Sequence, residues 1–128
     1  MTLLLDTHLL LWVALGNKKL SSSASALIRD PRNQVAFSAA NIWEVVIKKS
    51  LGRHDFNVNP HLLRTRLIEN GYTELPILSE HALAVANLPN LHKDPFDRLL
   101  IAQASVEGFT LLTADPLVAS YPGPIIAV

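Results

Sequence analysis

Short apolar runs alternate with helical stretches along this chain of 128 residues. The run Thr2 to Leu5 is typical of a strand that is covered on both faces of a parallel sheet. Gln34 to Phe37 and Thr110 to Thr113 are further strand-like runs. Because parallel neighbours must be joined by crossovers, which are usually helices, this alternation predicts an α/β protein. We expect three layers, with helices on both faces of a mainly parallel sheet of about five strands.

Capping residues and prolines predict where the helices begin and end. Thr7 is expected to cap a helix from about His8 to Leu15, and Ser38 a helix that reaches about Leu51. A further helix is predicted to start in the serine cluster Ser21 to Ser23 and to end before Pro31. Three more are predicted at about Pro60 to Asn70, Ser79 to Leu88 and Pro95 to Glu107. The two remaining predicted strands are Thr73 to Ile77, which Pro76 confines to an edge or shortens, and Ile125 to Ala127.

Length and composition limit the classes of protein. A chain of this size buries one hydrophobic core, so we predict a single domain over residues 1–128. The formal net charge of +0 argues against a basic, coat-like nucleic-acid binder. The absence of cysteine excludes disulfides, thiolate zinc sites and iron–sulfur clusters and fits a cytoplasmic location. Asp6 and His8 interrupt the apolar amino terminus, which is shorter than the roughly 20 residues of a membrane span, so no membrane anchor is predicted.

Four carboxylates occupy settings that would bring them to one point in space: Asp6, Glu44, Asp97 and Asp115. Asp6 and Asp115 follow apolar strands, and parallel sheets build their sites beyond the carboxyl ends of the strands. Glu44 and Asp97 lie on helical stretches. The neighbours of Glu44 on its helix predict that it lies on an apolar face; they are Ala40, Trp43, Ile47 and Leu51. An unpaired negative charge in apolar surroundings is costly, so a cation is expected between the acids. Carboxylate oxygens suit Mg²⁺ or Mn²⁺.

Each acid also has a purely structural interpretation. A strand end or a helix cap would explain Asp6 and Asp115, and an ion pair with Lys48 would explain Glu44. The helix dipole would favour a carboxylate at Asp97. Asp94 directly precedes a proline, so a helix cap is the favoured interpretation of this residue over a metal ligand.

Histidine and tryptophan side chains are expected to have structural roles. The five histidines show no metal-ligand spacing, and we predict packing or local hydrogen bonds for His8 and His92. Trp12 and Trp43 are predicted to be core residues and not stacking platforms. No aromatic-rich motif for RNA recognition is present.

The acids and their surroundings resemble the PIN-domain nucleases, specifically the VapC-type toxins of bacterial toxin–antitoxin systems. The matching segments, which together span nearly the whole chain, are LLLDTHLLLW, SAANIWEVVIKKSLGR, HKDPFDRLLIAQA and TLLTAD. The resemblance places Asp6, Glu44, Asp97 and Asp115 in the acidic quartet of the family. It places Thr113 at the hydroxyl that is often found beside the last acid. Asn41 departs from the pattern, since a small hydroxyl residue is expected there.

The resemblance implies a PIN-like fold and a Mg²⁺- or Mn²⁺-dependent endoribonuclease that leaves a 5′-phosphate. It also implies a role as the toxin of a VapBC-type module, a VapB-type antitoxin as partner and a homodimer. We assign Asp6 and Asp97 as the main metal ligands, with Glu44 and Asp115 completing the site. Because acids repel RNA, nearby cations are needed, and the candidates are Lys48, Arg53 and Arg98.

Two other functions stay open. A phosphatase of the haloacid dehalogenase class also begins with an aspartate after an apolar strand, but His8 stands where its second aspartate is expected. A non-catalytic PIN-like module that binds RNA or protein is the other alternative. The four acids argue against it, because a binding module has no use for a buried anionic cluster.

Overall fold

The computed structural model describes residues 1–52 and 57–128. The strands within these residues are β1 (Thr2–Leu5), β2 (Gln34–Ser38), β3 (Thr73–Leu75), β4 (Thr110–Thr113) and β5 (Ile125–Ala127). The α-helices are α1 (Thr7–Leu15), α2 (Ser22–Arg29), α3 (Ala39–Ser50), α4 (Pro60–Glu69), α5 (Ser79–Ala84), α6 (Pro95–Glu107) and α7 (Pro116–Ala119). A short 3₁₀ turn, Val85–Asn87, follows α5.

The five strands form one sheet in the order β3-β2-β1-β4-β5. All four neighbouring pairs are parallel, and Leu4 of β1 is in register with Ala36 of β2 and Leu111 of β4. The prediction of a mainly parallel sheet of about five strands is confirmed. Strand β3 lies at the edge and ends at Leu75, just before Pro76, because a proline has no N–H to donate to the sheet.

Helices cover both faces of the sheet, as predicted. Leu3 and Leu5 of β1 point into one core, which they share with buried residues of α1, α2, α3 and α4. Leu4 points into the other core, which it shares with buried residues of α3, α6 and α7. Successive side chains of a strand point to opposite faces, so a strand that is buried on both faces must be apolar throughout.

Most helix starts follow the predicted caps. Asn59 and Asp94 cap α4 and α6, each followed by a proline in the first turn, and Gly108 ends α6 with a positive φ of 71°. The prediction for α1 was wrong. Its cap is Asp6, whose Oδ1 accepts a hydrogen bond from the Leu9 backbone N–H at 2.9 Å, because the chain turns into the helix one residue earlier than expected.

Helix α3 is less buried than its sequence predicts. Trp43 is 55% exposed and Leu51 is 70% exposed, so neither is a core residue. The Trp43 ring lies edge-on to Phe96 of α6, with 5.2 Å between the ring centroids. Helical position explains the correction, since Ala40 and Val45 already supply the buried side of α3. Trp12 is partly buried and packs against the core.

The exposure of Trp43 has a measurable consequence for stability. We expect Trp43→Ala to lower the free energy of unfolding by about 1 kcal/mol, because the substitution removes one aromatic contact and little buried area. Urea denaturation measures this change. A loss of about 3 kcal/mol or more, which is typical of a buried aromatic residue, would contradict the exposed position.

Membrane spans require long apolar helices. Across residues 1–52 and 57–128, none of the helices combines the length and the hydropathy needed to cross a bilayer.

Candidate metal site

Asp6 lies at the carboxyl end of the central strand. Its backbone N–H donates to the Leu112 carbonyl at 3.1 Å, which continues the β1–β4 pairing to the point where the side chain turns away. The side chain is buried, and its Oδ2 accepts the Thr113 hydroxyl at 2.5 Å. Burial raises the pKa of Asp6, the hydrogen bonds from Thr113 and Leu9 oppose this effect, and the charge of Asp115 adds to it. Hydrogen bonds therefore fix the Asp6 carboxyl group at a buried position that disfavours its charged form.

Glu44 points from α3 toward the interior. It is 2% exposed, and its Oε1 accepts the Thr7 hydroxyl at 2.6 Å. Its Oε2 accepts from the Lys48 ammonium at 2.7 Å, one turn along the helix. The ion pair that offered a structural interpretation of Glu44 is thus present. It does not account for the acid's burial, since an ion pair between neighbouring turns forms equally well at the surface.

Asp97 lies in the first turn of α6, after its cap Asp94. Its Oδ2 is 2.9 Å from His92 Nε2. Burial raises the pKa of Asp97 to about 7, and the nearby charges of Asp94, Glu44 and Asp6 add to this effect. The hydrogen bond with His92 lowers the pKa but does not offset burial. Asp6 and Glu44 are therefore close enough to Asp97 for their charges to act on it.

Asp115 is the fourth acid and, like Asp97, is partly exposed. It caps α7 and accepts a hydrogen bond from the Leu117 N–H at 2.8 Å, so the helix cap that the sequence offered as a structural role is present. Its own N–H donates to Thr113 Oγ1 at 3.0 Å, and that hydroxyl donates in turn to Asp6. Thr113 therefore links the last acid to the first across the β1–β4 boundary.

Among the described residues, Glu80, His81 and Glu107 form one set of possible ligand atoms and His92, Asp94 and Asp97 form another, with the atoms of each set within 4.8 Å of one another. Asp97 is the member that the second set shares with the predicted quartet. Asp94 is a cap, as predicted, with Oδ1 accepting from the Phe96 and Asp97 N–H groups. His92 makes the predicted local hydrogen bond, but its partner is a site acid. The spacing HKDPFD, with three ligand-type residues in six positions, carried this signal in the sequence.

Two buried polar residues beside the acids received no role in the site from the sequence. Thr7 bonds to Glu44, and Asn41 bonds to Thr7. From the sequence, Thr7 is interpreted as a helix cap, and Asn41 is noted only as a departure from the family pattern.

The three candidate cations differ in their surroundings. Lys48 is engaged with Glu44, as described above. The Arg98 guanidinium donates to the carbonyls of Pro89 and Val85 and to the Tyr121 hydroxyl, so it connects the segment before α6 to the residues that follow α7. Arg53 lies outside the described residues.

The donor set fits a divalent cation. All four acids offer hard carboxylate oxygens, which Mg²⁺ and Mn²⁺ prefer. Burial raises the pKa values of Asp6 and Asp97, which disfavours their charged forms, and the hydrogen bonds from Thr113, Leu9 and His92 do not offset this effect. A bound cation would favour the charged forms.

The protein is therefore an α/β protein with a parallel sheet. Its candidate site is acidic, suits a cation and lies at the carboxyl ends of the strands, next to the central strand. A family model described as the PIN domain matches residues 3–123. The chain therefore belongs to the PIN domain family, whose members are in general nucleases that hydrolyse phosphodiester bonds. None of the curated protein sequences matches the chain significantly.

Solved structures with the same fold include three toxin–antitoxin complexes. VapBC2 from Rickettsia felis, bound to a DNA fragment from its promoter, has a TM-score of 0.72 and 14% identity, covering 99% of this chain and 98% of that chain. A toxin–antitoxin complex from Klebsiella pneumoniae has a TM-score of 0.65 and 19% identity, covering 97% and 95%. VapBC-1 from nontypeable Haemophilus influenzae has a TM-score of 0.64 and 16% identity, covering 99% and 98%.

Proposed function

We propose that this protein is a metal-dependent endoribonuclease and the toxin of a VapBC-type toxin–antitoxin module. The observation that carries the proposal is a pair of buried acids, Asp6 and Glu44, whose charges raise the pKa of Asp97 in a PIN fold. Membership of the PIN family supports phosphodiester hydrolysis. RNA as the substrate and the divalent cation are our extension of that activity.

Asp6 and Asp97 would be the main ligands of Mg²⁺ or Mn²⁺, with Glu44 and Asp115 completing the set. Such a cation supplies a water of lowered pKa and neutralises charge on the phosphodiester. Asp94 and His92 support the site from the α6 side, because both hold Asp97 by hydrogen bonds.

The residues of the chain prepare this chemistry in three ways. Thr113 and the Leu9 N–H fix both oxygens of Asp6, so the acid needs no reorganisation when substrate binds. Lys48 places positive charge beside Glu44, which lowers the repulsion that an incoming phosphate meets. Arg53 and Arg98 are further candidates for contacts to the RNA backbone, and Arg98 would have to keep its loop contacts while doing so.

The proposed partners are RNA, a VapB-type antitoxin and a second copy of the chain, in the cytoplasm. The structural neighbours are complexes of toxin with antitoxin, and this supports the antitoxin. A short adjacent reading frame encoding a DNA-binding protein would support the module further. Neither alternative gains support: a haloacid dehalogenase phosphatase does not fit the PIN family match, and a binding module does not explain the repelling acids.

The test is cleavage of a single-stranded or stem-loop RNA with and without metal. We expect cleavage with Mg²⁺ or Mn²⁺, complete loss in EDTA and recovery when the metal is added in excess, with 5′-phosphate ends on the products. A DNA strand of the same sequence and a small phosphomonoester serve as comparison substrates. Full activity in EDTA would refute metal dependence, and turnover of the phosphomonoester alone would favour the phosphatase.

A further inference from the structure

One buried amide holds the segment that carries Asp6. Asn41, in the first turn of α3, is completely buried. Its Nδ2 donates to the Leu5 carbonyl at 3.3 Å and to the Thr7 hydroxyl oxygen at 3.0 Å. Leu5 and Thr7 are the two neighbours of Asp6 in the chain. Two hydrogen bonds from a single nitrogen therefore bracket the first acid of the site.

The same amide is fixed at its other end. Asn41 Oδ1 accepts from the Ser38 backbone N–H at 2.7 Å, at the junction of β2 and α3. Because Oδ1 faces an N–H group and Nδ2 faces a carbonyl, the amide fits in one orientation. Asn41 thereby ties the end of β1 and the start of α1 to the start of α3, which carries Glu44.

Thr7 extends this connection to Glu44 itself. The Thr7 hydroxyl accepts the Asn41 N–H and directs its own proton to Glu44 Oε1, at 2.6 Å. A serine or threonine at position 41, where the family resemblance leads one to expect a small hydroxyl, has a single hydroxyl proton. It could not donate to both Leu5 and Thr7. The asparagine of this chain does both.

We infer that Asn41 is a positioning residue that sets the separation of Asp6 and Glu44 and so preorganises them for a divalent cation. It acts on Asp6 through the two flanking residues and on Glu44 through Thr7. This inference rests on the proposed function. Partners that orient metal ligands are worth about 10- to 100-fold in metal affinity or activity, so the effect is large enough to measure.

The experiment is calorimetric titration of Mn²⁺ into the whole protein. We expect Thr7→Val and Asn41→Ser to bind Mn²⁺ about tenfold more weakly than wild type. Thr7→Ser keeps the hydroxyl and should keep the wild-type affinity. The matched control is Gln103→Met, which removes another buried amide, one that bonds to Ser38 and the Pro76 carbonyl. It should lower the melting temperature and leave Mn²⁺ affinity unchanged.

The outcomes separate this inference from the proposed function. A wild-type protein that neither binds Mn²⁺ nor cleaves RNA overturns both. A wild-type protein that does both, with a folded Asn41→Ser or Thr7→Val variant of equal affinity, overturns the positioning role and leaves the nuclease intact. An equal loss of affinity in Gln103→Met also overturns it. If Asn41→Ser does not fold, Thr7→Val carries the test, because valine nearly matches threonine in shape.

Discussion

Replacement of Asp6 by asparagine is expected to lower RNA cleavage by about a thousandfold, equivalent to about 4 kcal/mol of transition-state stabilisation. Asparagine is uncharged and binds a hard cation more weakly than a carboxylate does. The fold should survive, because asparagine caps helices as well as aspartate and still accepts from the Leu9 N–H. Single-turnover cleavage rates, measured with saturating Mg²⁺ or Mn²⁺, test this expectation.

The matched control for Asp6→Asn is Asp30→Asn. Like Asp6, Asp30 accepts a hydrogen bond from a backbone N–H that follows it closely, here that of Arg32, and its side chain also pairs with the Arg32 guanidinium, outside the site. We expect Asp30→Asn to cleave RNA at the wild-type rate. Retained activity in a folded Asp6→Asn variant would remove Asp6 from the catalytic set.

Replacement of Asp97 by asparagine is expected to abolish cleavage and also to stabilise the metal-free protein at alkaline pH. The folded-state pKa of about 7 lies above the ordinary value of 3.8, so the folded protein binds more protons than the unfolded chain between these two values. The stability of the metal-free wild type should therefore fall as the pH rises from about 4 to about 7 and then level off. The groups that face Asp97 are Asp94, His92, Glu44 and Asp6.

Asp97→Asn removes this penalty, because the amide carries no charge at any pH in the window. At pH 8 in EDTA we expect the variant to be about 2 kcal/mol more stable than wild type, or about 5 °C in melting temperature. Mn²⁺ should stabilise the wild type more than the variant. Asp30→Asn is again the control, because Arg32 holds the pKa of Asp30 low, at about 2, and the substitution cannot relieve any penalty near neutral pH. A wild-type melting temperature that rises between pH 5 and 8 in EDTA would contradict the expectation.

Much of the fold followed from local chemistry. Continuous apolar runs such as Leu3 to Leu5 predicted a sheet that is covered on both faces, and cap–proline pairs such as Asp94 and Pro95 marked helix starts to the residue. The errors were also local. Thr7 was interpreted as a cap, although Asp6 offers the better-placed oxygen. The apolar sequence of α3 predicted that Trp43 and Leu51 are buried, but the packing of α6 and the sheet leaves both side chains exposed.

By itself, the sequence determined the α/β class, the four acids and the order in which they occur, because strand periodicity, capping and charge placement are read along the chain. The tertiary structure decided which polar groups meet. Asn41 is thirty-four residues from Thr7 and Thr113 is over a hundred from Asp6, yet each pair is hydrogen-bonded. These contacts depend on the register of β1 with β2 and β4, which no local pattern specifies. Asp6 therefore meets Thr113, and Glu44 meets Thr7, only once that register has formed.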